Sequence, residues 1–121
     1  RAVGSMISME NGKTMAYSLF NLQDRGTIFV KPATEIYEGM IIGESAKDQD
    51  LAVNSTKNKK LTNVRASGTD EALKLTPPKL MSLEEAIDYI SEDEYVEITP
   101  ETIRLRKKFL TEGERKRNKK G

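Results

Sequence analysis

The sequence holds no cysteine, no histidine and no tryptophan, and aromatic residues make up only 6% of its 121 residues. Without cysteine there is no disulfide framework, and a reducing compartment fits the chain. Without histidine or cysteine, most nucleophilic, acid–base and zinc chemistry loses its usual side chains. No apolar run approaches the ~18 residues of a membrane span, and no signal peptide opens the chain, so it is expected to be cytoplasmic. A chain that opens on Arg1 rather than Met is expected to be a fragment or a processed product. Hydrophobic residues are scarce at 36% and charged ones abundant at 32%, which predicts one domain with a modest core and an extended piece or two.

The net charge is only +1, but its distribution is uneven. Arg104 to Lys120 carries nine Lys or Arg against Glu112 and Glu114, while Ser82 to Glu97 carries seven acids and no base. Such polarity points to an oriented partner. The most distinctive stretch is Thr56 to Thr69, T-K-N-K-K-L-T-N-V-R-A-S-G-T, which holds Lys57, Lys59, Lys60 and Arg65 and no acid. Asn, Ser and Gly break it up, so it has neither a helical nor a strand period and reads as a loop. The plain reading is a solvated surface loop; the functional one is a loop that approaches phosphates. Leu61 and Val64 are its only apolar anchors, so it is expected to be mobile in isolation.

In chain order, residues 1–19 read as a β-hairpin across Asn11-Gly12, the dipeptide suited to a type I′ turn, with Met15, Tyr17 and Leu19 on one face of its second strand. Residues 20–26 read as a helical turn closed by Gly26, and Thr27 to Val30 as a strand ended by Pro32. Met40 to Ile42 reads as a buried strand, with Gly43 allowing a bulge or close backbone approach. Leu51 to Asn54 and Glu71 to Leu75 read as strands on either side of the basic loop. Asp48 and Asp50 lack the glycine and distant Glu of a calcium loop. Ser82 and Glu85 form a capping box, followed by an apolar stripe of Leu83, Ala86, Ile87 and Ile90 with Glu84, Glu85 and Asp88 outside. Tyr95 to Ile98 and Thr102 to Arg106 form a second hairpin. Val96, Ile98, Ile103 and Leu105 are expected inside, and Arg104 and Arg106 on the other face beside Glu97 and Glu101 or a bound partner. Thr111 to Glu114 is another capping box, opening a basic tail without an apolar stripe.

The fold class expected is mainly β (α+β): a small curled or barrel-like antiparallel or mixed sheet, one amphipathic helix and a long basic loop. Residues 1–110 are expected to form the domain, its first few residues belonging to a preceding one, and residues 111–121 a flexible basic tail.

The runs L-F-N-L-Q-D-R-G (19–26), E-I-Y-E-G-M-I-I-G-E (35–44), K-K-L-T-N-V-R-A-S-G-T-D-E-A (59–72) and V-E-I-T-P-E-T-I-R-L-R-K (96–107) resemble, in order, the C-terminal part of the TypA/BipA translational GTPases. The K-K-L-T-N-V-R-A-S-G block is the most specific of them. The resemblance implies a ribosome-binding GTPase related to elongation factor G, active in stress response and ribosome assembly. It also implies a C-terminal loop that reaches the tRNA acceptor end and the large subunit. One departure matters: no G-x-x-x-x-G-K-[ST] phosphate loop is present. Gly12-Lys13-Thr14 lacks the upstream glycine, and the stretch after it reads as strand. This piece is therefore expected to be no enzyme and to carry no cofactor, GTP and magnesium belonging to a GTPase domain outside it.

Two functions follow. In the first, the chain is a monomeric RNA-docking domain that contacts large-subunit rRNA, the tRNA acceptor end and the rest of its parent GTPase, and no membrane. Lys57, Lys59, Lys60 and Arg65 take phosphates, and Asn58, Thr62, Asn63 and Ser67 donate hydrogen bonds to backbone and 2′-hydroxyls. Arg104, Arg106, Lys107 and Lys108 form a second basic face. No aromatic interleaves the loop, so stacking is not its mode. In the second, the acidic face of Glu84, Glu85 and Asp88, with the turn Glu92-Asp93-Glu94, binds a basic ribosomal protein.

Overall fold

A computed structural model describes residues 3–57 and 75–117. Its organising element is strand β5 (Met40–Ser45), which is buried along almost its whole length. The run Met40-Ile41-Ile42 is apolar on both faces, as a strand covered on both sides requires. Met40 and Ile42 join one core with Met6, Leu19, Leu22, Ile28, Ile36 and Val53. Ile41 joins the other, with Phe29, Ala86 and Leu105.

Both edges of β5 are used. Strand β1 (Ser5–Ser8) runs antiparallel along one edge. The register slips from Met6↔Gly43 to Ile7↔Ile41, so Ile42 is the extra residue of a bulge. The opposite edge is shared end to end by β3 (Gly26–Ile28), paired to Gly43–Ser45, and β8 (Ile103–Lys107), paired to Met40 and Ile41. A Cβ on Gly43 would lie 2.6 Å from the Thr27 carbonyl oxygen, so the expected close approach is present and excludes a side chain. Strand β6 (Leu51–Val53) adds to β1 in parallel, and β7 (Glu94–Ile98) adds to β8 antiparallel. Among the described residues the result is a mixed sheet of six strands, in the order β6-β1-β5-β8-β7 with β3 also paired to β5.

The first nineteen residues do not form the expected hairpin. Strand β2 (Gly12–Lys13) pairs instead with β4 (Glu35–Ile36). Residues Ala16–Leu22 form helix α1, which buries Ser18, Leu19 and Leu22. The expected turn at Asn11-Gly12 is absent, since Gly12 itself opens β2, and β1 pairs with β5 and β6. The Thr14 hydroxyl donates to the Lys31 carbonyl (2.7 Å) and accepts from the Thr34 amide (3.0 Å). That buried hydroxyl is therefore not available to a metal or phosphate. The helix after Gly12-Lys13-Thr14 also corrects the strand expectation, so the lack of a phosphate loop rests on the missing upstream glycine alone.

The 3-10 turn Gln23–Arg25 leads into Gly26 as expected. Helix α2 (Leu83–Tyr89) has its full capping box: the Glu85 amide donates to Ser82 Oγ (3.2 Å), and the Ser82 amide to Glu85 Oε1 (2.9 Å). Its buried stripe differs from the periodic expectation. Ala86 is fully buried and Tyr89 and Ile90 pack beside it, whereas Leu83 and Ile87 face solvent. Tyr89 meets Phe29 edge to face at 5.4 Å, and its hydroxyl reaches Ser5 Oγ (2.6 Å). Helix α3 (Glu112–Arg117) carries the second capping box, Thr111 with Glu114. Among the described residues three α-helices, not one, thus accompany the sheet, with α1 and α2 covering opposite faces.

Candidate nucleic-acid interface

The basic segment is anchored where it leaves and rejoins the scaffold. After β6, Asn54 Oδ1 accepts from both the amide (2.9 Å) and the hydroxyl (2.7 Å) of Thr56, a local turn. The Met15 amide donates to the Ser55 carbonyl (2.9 Å). Ser18 on α1 donates to the Lys57 carbonyl (2.5 Å), while Lys57 itself is exposed. On the return, Leu75 packs against the α1-side core. The Thr76 amide donates to Gln23 Oε1 (2.8 Å), and the Lys79 amide to the Ile28 carbonyl (2.9 Å). Both ends are therefore tied to α1, the turn after it and β3. Asn58, Lys59, Lys60, Thr62, Asn63, Arg65 and Ser67 lie outside the described residues, as does most of the strand expected at 71–75.

The second basic face is a cross-strand cluster on the β7–β8 hairpin. Register pairs Tyr95 with Arg106 and Glu97 with Arg104, so these four side chains share one face. Glu97 is the common acid: Arg106 Nε lies 3.4 Å and Arg104 Nε 3.7 Å from its two oxygens. The Tyr37 hydroxyl donates to the same carboxylate. Arg104 lies 5.7 Å from the centre of the Tyr37 ring, and Arg106 5.0 Å from that of Tyr95. Of the two acids expected beside the arginines, Glu97 pairs with both. The two tyrosines were not singled out from the sequence, although strand parity across the 99–102 turn puts Tyr95 beside Arg106.

Lys107 is a correction. It does not lie on an exposed basic face; it is 2% exposed. By parity it joins Ile103 and Leu105 on the core side. There its ammonium contacts Glu94 (2.7 Å), Asp50 (2.8 Å) and Asp93 (3.0 Å). Asp50 also accepts from the Ser5 amide (2.9 Å), and Glu94 from the Ser91 amide (2.8 Å). Lys107 thus ties together the β6 entry, the turn before β7 and β8. Lys108 is exposed, its amide donating to the Asp93 carbonyl (2.7 Å).

Two groups hold their protons more tightly than usual. Burial raises the Tyr37 hydroxyl well above the ordinary tyrosine range, and its hydrogen bond to Glu97 and that carboxylate's charge add to the rise. For Lys107 burial acts downward, but hydrogen bonds to Asp50 and Glu94 together outweigh it and raise the ammonium. In both cases the folded pKa exceeds the unfolded value, so the contribution is intact at neutral pH. It is lost as pH climbs through about 10 and beyond. The thermal midpoint should stay flat from about pH 7 to 9 and fall above about pH 10. Tyr37→Phe should fall less steeply there; a curve parallel to wild type would remove Tyr37 from the account.

The acidic face of α2 is exposed at Glu84, Glu85 and Asp88. It is not purely polar, because Leu80 (59%), Ile87 (55%) and Leu83 (39%) are exposed along the same segment. A groove of about 1030 Å³ runs between this segment and the hairpin, with Phe29, Met81 and Ile98 among its walls. Among the described residues no group of three or more acidic side chains has a metal-holding arrangement, and no helix is long and apolar enough to cross a membrane.

The chain matches the TypA/BipA C-terminal domain family over residues 3–112. It is 51% identical over 97% of its length to the "Large ribosomal subunit assembly factor BipA" of Bacillus subtilis, covering 19% of that protein. It is 53% identical over its whole length to the protein of the same description from Salmonella typhimurium, covering 20% of it. The Haemophilus influenzae counterpart is 53% identical over 97% of the chain and is covered to 19%. The chain therefore spans about a fifth of the length of these curated relatives.

Proposed function

Because the chain belongs to the TypA/BipA family, as its C-terminal domain, we propose that it is an RNA-docking domain. On this reading it contacts rRNA of the large ribosomal subunit and the acceptor end of tRNA. The observation that carries it is the anchoring of a basic segment, by Ser18 to Lys57 on one side and by Gln23 to Thr76 on the other. Fixed ends limit the volume a loop can sample, which lowers the entropy lost when it settles on a phosphate backbone. Lys57, Lys59, Lys60 and Arg65 then supply the charge, and Asn58, Thr62, Asn63 and Ser67 the hydrogen bonds. The parent protein is a cytoplasmic GTPase that supports large-subunit assembly and stress response, with GTP and magnesium held in its other domains. This domain acts there as a monomer. The curated relatives' description as large-subunit assembly factors supports the ribosomal partner.

The test is sedimentation of the chain with ribosomes across a salt series, beside a variant with Lys57, Lys59, Lys60 and Arg65 all changed to Gln. Four neutralised phosphates predict a log–log salt slope of about −3 to −4 for wild type, and most of it should vanish in the variant. Equal binding by both would move the contact away from the loop.

A second reading is favoured by one observation: apolar Leu80, Leu83 and Ile87 are exposed beside Glu84 and Asp88. That combination suits a basic amphipathic segment of a ribosomal protein, which would bury its apolar side and pair its cations. Glu84→Lys with Asp88→Lys should abolish such binding while leaving the RNA salt slope unchanged. Binding that survives the double reversal discards this reading.

A further inference from the structure

We infer that the outer face of the β7–β8 hairpin binds single-stranded RNA, with Tyr95 stacking a base and Arg104 and Arg106 taking flanking phosphates. This rests on the RNA-docking reading and adds a site distinct from the loop.

Three observations carry it. First, Tyr95 is 42% exposed although it stands in a sheet, and Arg106 is held against its ring. A planar, half-exposed aromatic beside a fixed guanidinium is the arrangement on which bases stack in single-strand binders.

Second, donors outnumber acceptors. Each guanidinium carries several N–H groups in a fixed fork, whereas among the described residues Glu97 is the carboxylate paired with both and already accepts from Tyr37, and Arg106 spends one further N–H on the Lys107 carbonyl (3.4 Å). The 3.4 and 3.7 Å separations are ion-pair contacts longer than an ordinary N–H···O bond. Arg104 Nε, though buried, has no hydrogen-bond partner. Arg104 Nε itself is out of an anion's reach, but the Arg104 and Arg106 side chains keep 32% and 23% of their exposure, so their solvent-facing N–H groups can meet a further anion.

Third, the cluster is rigid before any ligand arrives. Tyr37 and Tyr95 each hold one guanidinium against the ring, Glu97 links them, and the hairpin is fully paired from Glu94↔Lys107 to Ile98↔Ile103. Lys107 adds no free charge to the face, being neutralised inside. Lys108 does, so Arg104, Arg106 and Lys108 stand against Glu97. An acidic peptide would meet the cations but offer nothing planar to Tyr95; a nucleotide offers both parts.

The experiment is fluorescence anisotropy of two labelled probes with the full chain: a short single-stranded oligoribonucleotide of mixed A and U, and a blunt RNA duplex. Tyr95→Leu should weaken the single strand about tenfold or more, as for loss of one stacked base, and leave the duplex unchanged. Tyr95→Phe keeps the ring and should bind like wild type. Arg106→Gln should weaken both probes and reduce the salt slope by about one. Circular dichroism of each variant separates lost binding from lost folding.

Unchanged single-strand affinity in folded Tyr95→Leu overturns the site, while loop-dependent ribosome binding would leave the docking reading intact. Competition by poly-glutamate combined with indifference to Tyr95 would assign the face to an acidic protein instead. A wild-type chain that binds neither the single strand nor ribosomes removes both the site and the reading beneath it.

Discussion

Lys107→Met should lower the unfolding free energy by about 3–5 kcal/mol, the penalty for removing one partner of a buried ion pair. The reason is Glu94, whose side chain is fully buried against the Lys107 ammonium at 2.7 Å. Asp50 and Asp93 keep 38% and 58% of their side-chain exposure and can recover water. Glu94, with no side-chain exposure, cannot, and the neutral Ser91 amide it accepts from does not replace a cation. Domains of this size are stable by about 5–15 kcal/mol, so the loss is a large share of the total. Urea denaturation at neutral pH reads it as a lower midpoint at unchanged slope. Adding Glu94→Gln to Lys107→Met should restore part of the loss, because the orphaned charge is gone. A single variant within about 1 kcal/mol of wild type would mean that the cluster contributes little, as exposed pairs do.

The second large effect is expected at Gly39. Its φ of +95° lies where L side chains are strained. A Cβ there would sit 2.7 Å from Leu110 Cα and 2.6 Å from its Cδ2. The same residue donates to the Ser8 carbonyl (2.9 Å) and accepts from the Lys107 amide (2.8 Å). Gly39→Val therefore combines backbone strain of about 1–3 kcal/mol with overpacking of similar size. The sum, roughly 3 kcal/mol or more, loosens three segments at once. Gly39→Ala should lose less, having no branch at Cβ. Thermal melting of both variants beside wild type checks the order; an Ala variant as stable as wild type would show that the Leu110 segment yields without strain.

Whether a segment is legible in the chain depends on which periodicity it obeys. The central strand was legible because Met40-Ile41-Ile42 has no polar partner in its pattern, and Gly43 marks the close approach. The capping boxes at Ser82 and Thr111 were legible because they are local chemistry. The opening hairpin was not. Met15, Tyr17 and Leu19 alternate as a strand would, yet Ser18, Leu19 and Leu22 also fit one helical face, and α1 has no side-chain cap to announce it. A seven-residue helix of this kind is held by burial against the sheet rather than by its own propensity.

At the candidate site the sequence distinguished charge better than direction. Arg104 and Arg106 were correctly placed beside Glu97. Lys107 was grouped with them by charge, although the same two-residue alternation puts it with Leu105. Its burial could be anticipated only by knowing that Asp50, far away in sequence, comes to meet it. Leu83 and Ile87 face solvent for a related reason: α2 presents Ala86 and its C-terminal Tyr89 to the core, where they meet Phe29, which follows β3 and is distant in sequence.

One feature of the sheet bears on how the chain is made. Strand β5 comes from the middle of the sequence, and its second edge is completed only by Leu105 and Arg106. On a translating ribosome about 60 residues must follow Ile42 before that edge is filled, on the order of 3–12 s at typical elongation rates. During that interval Met40 to Ile42 is an apolar strand with an open edge, a natural target for holdase chaperones. Folding should therefore be a late, nearly all-at-once event. A nascent chain arrested between Glu94 and Ile103 should be protease-sensitive across the whole of this domain, not merely at its growing end.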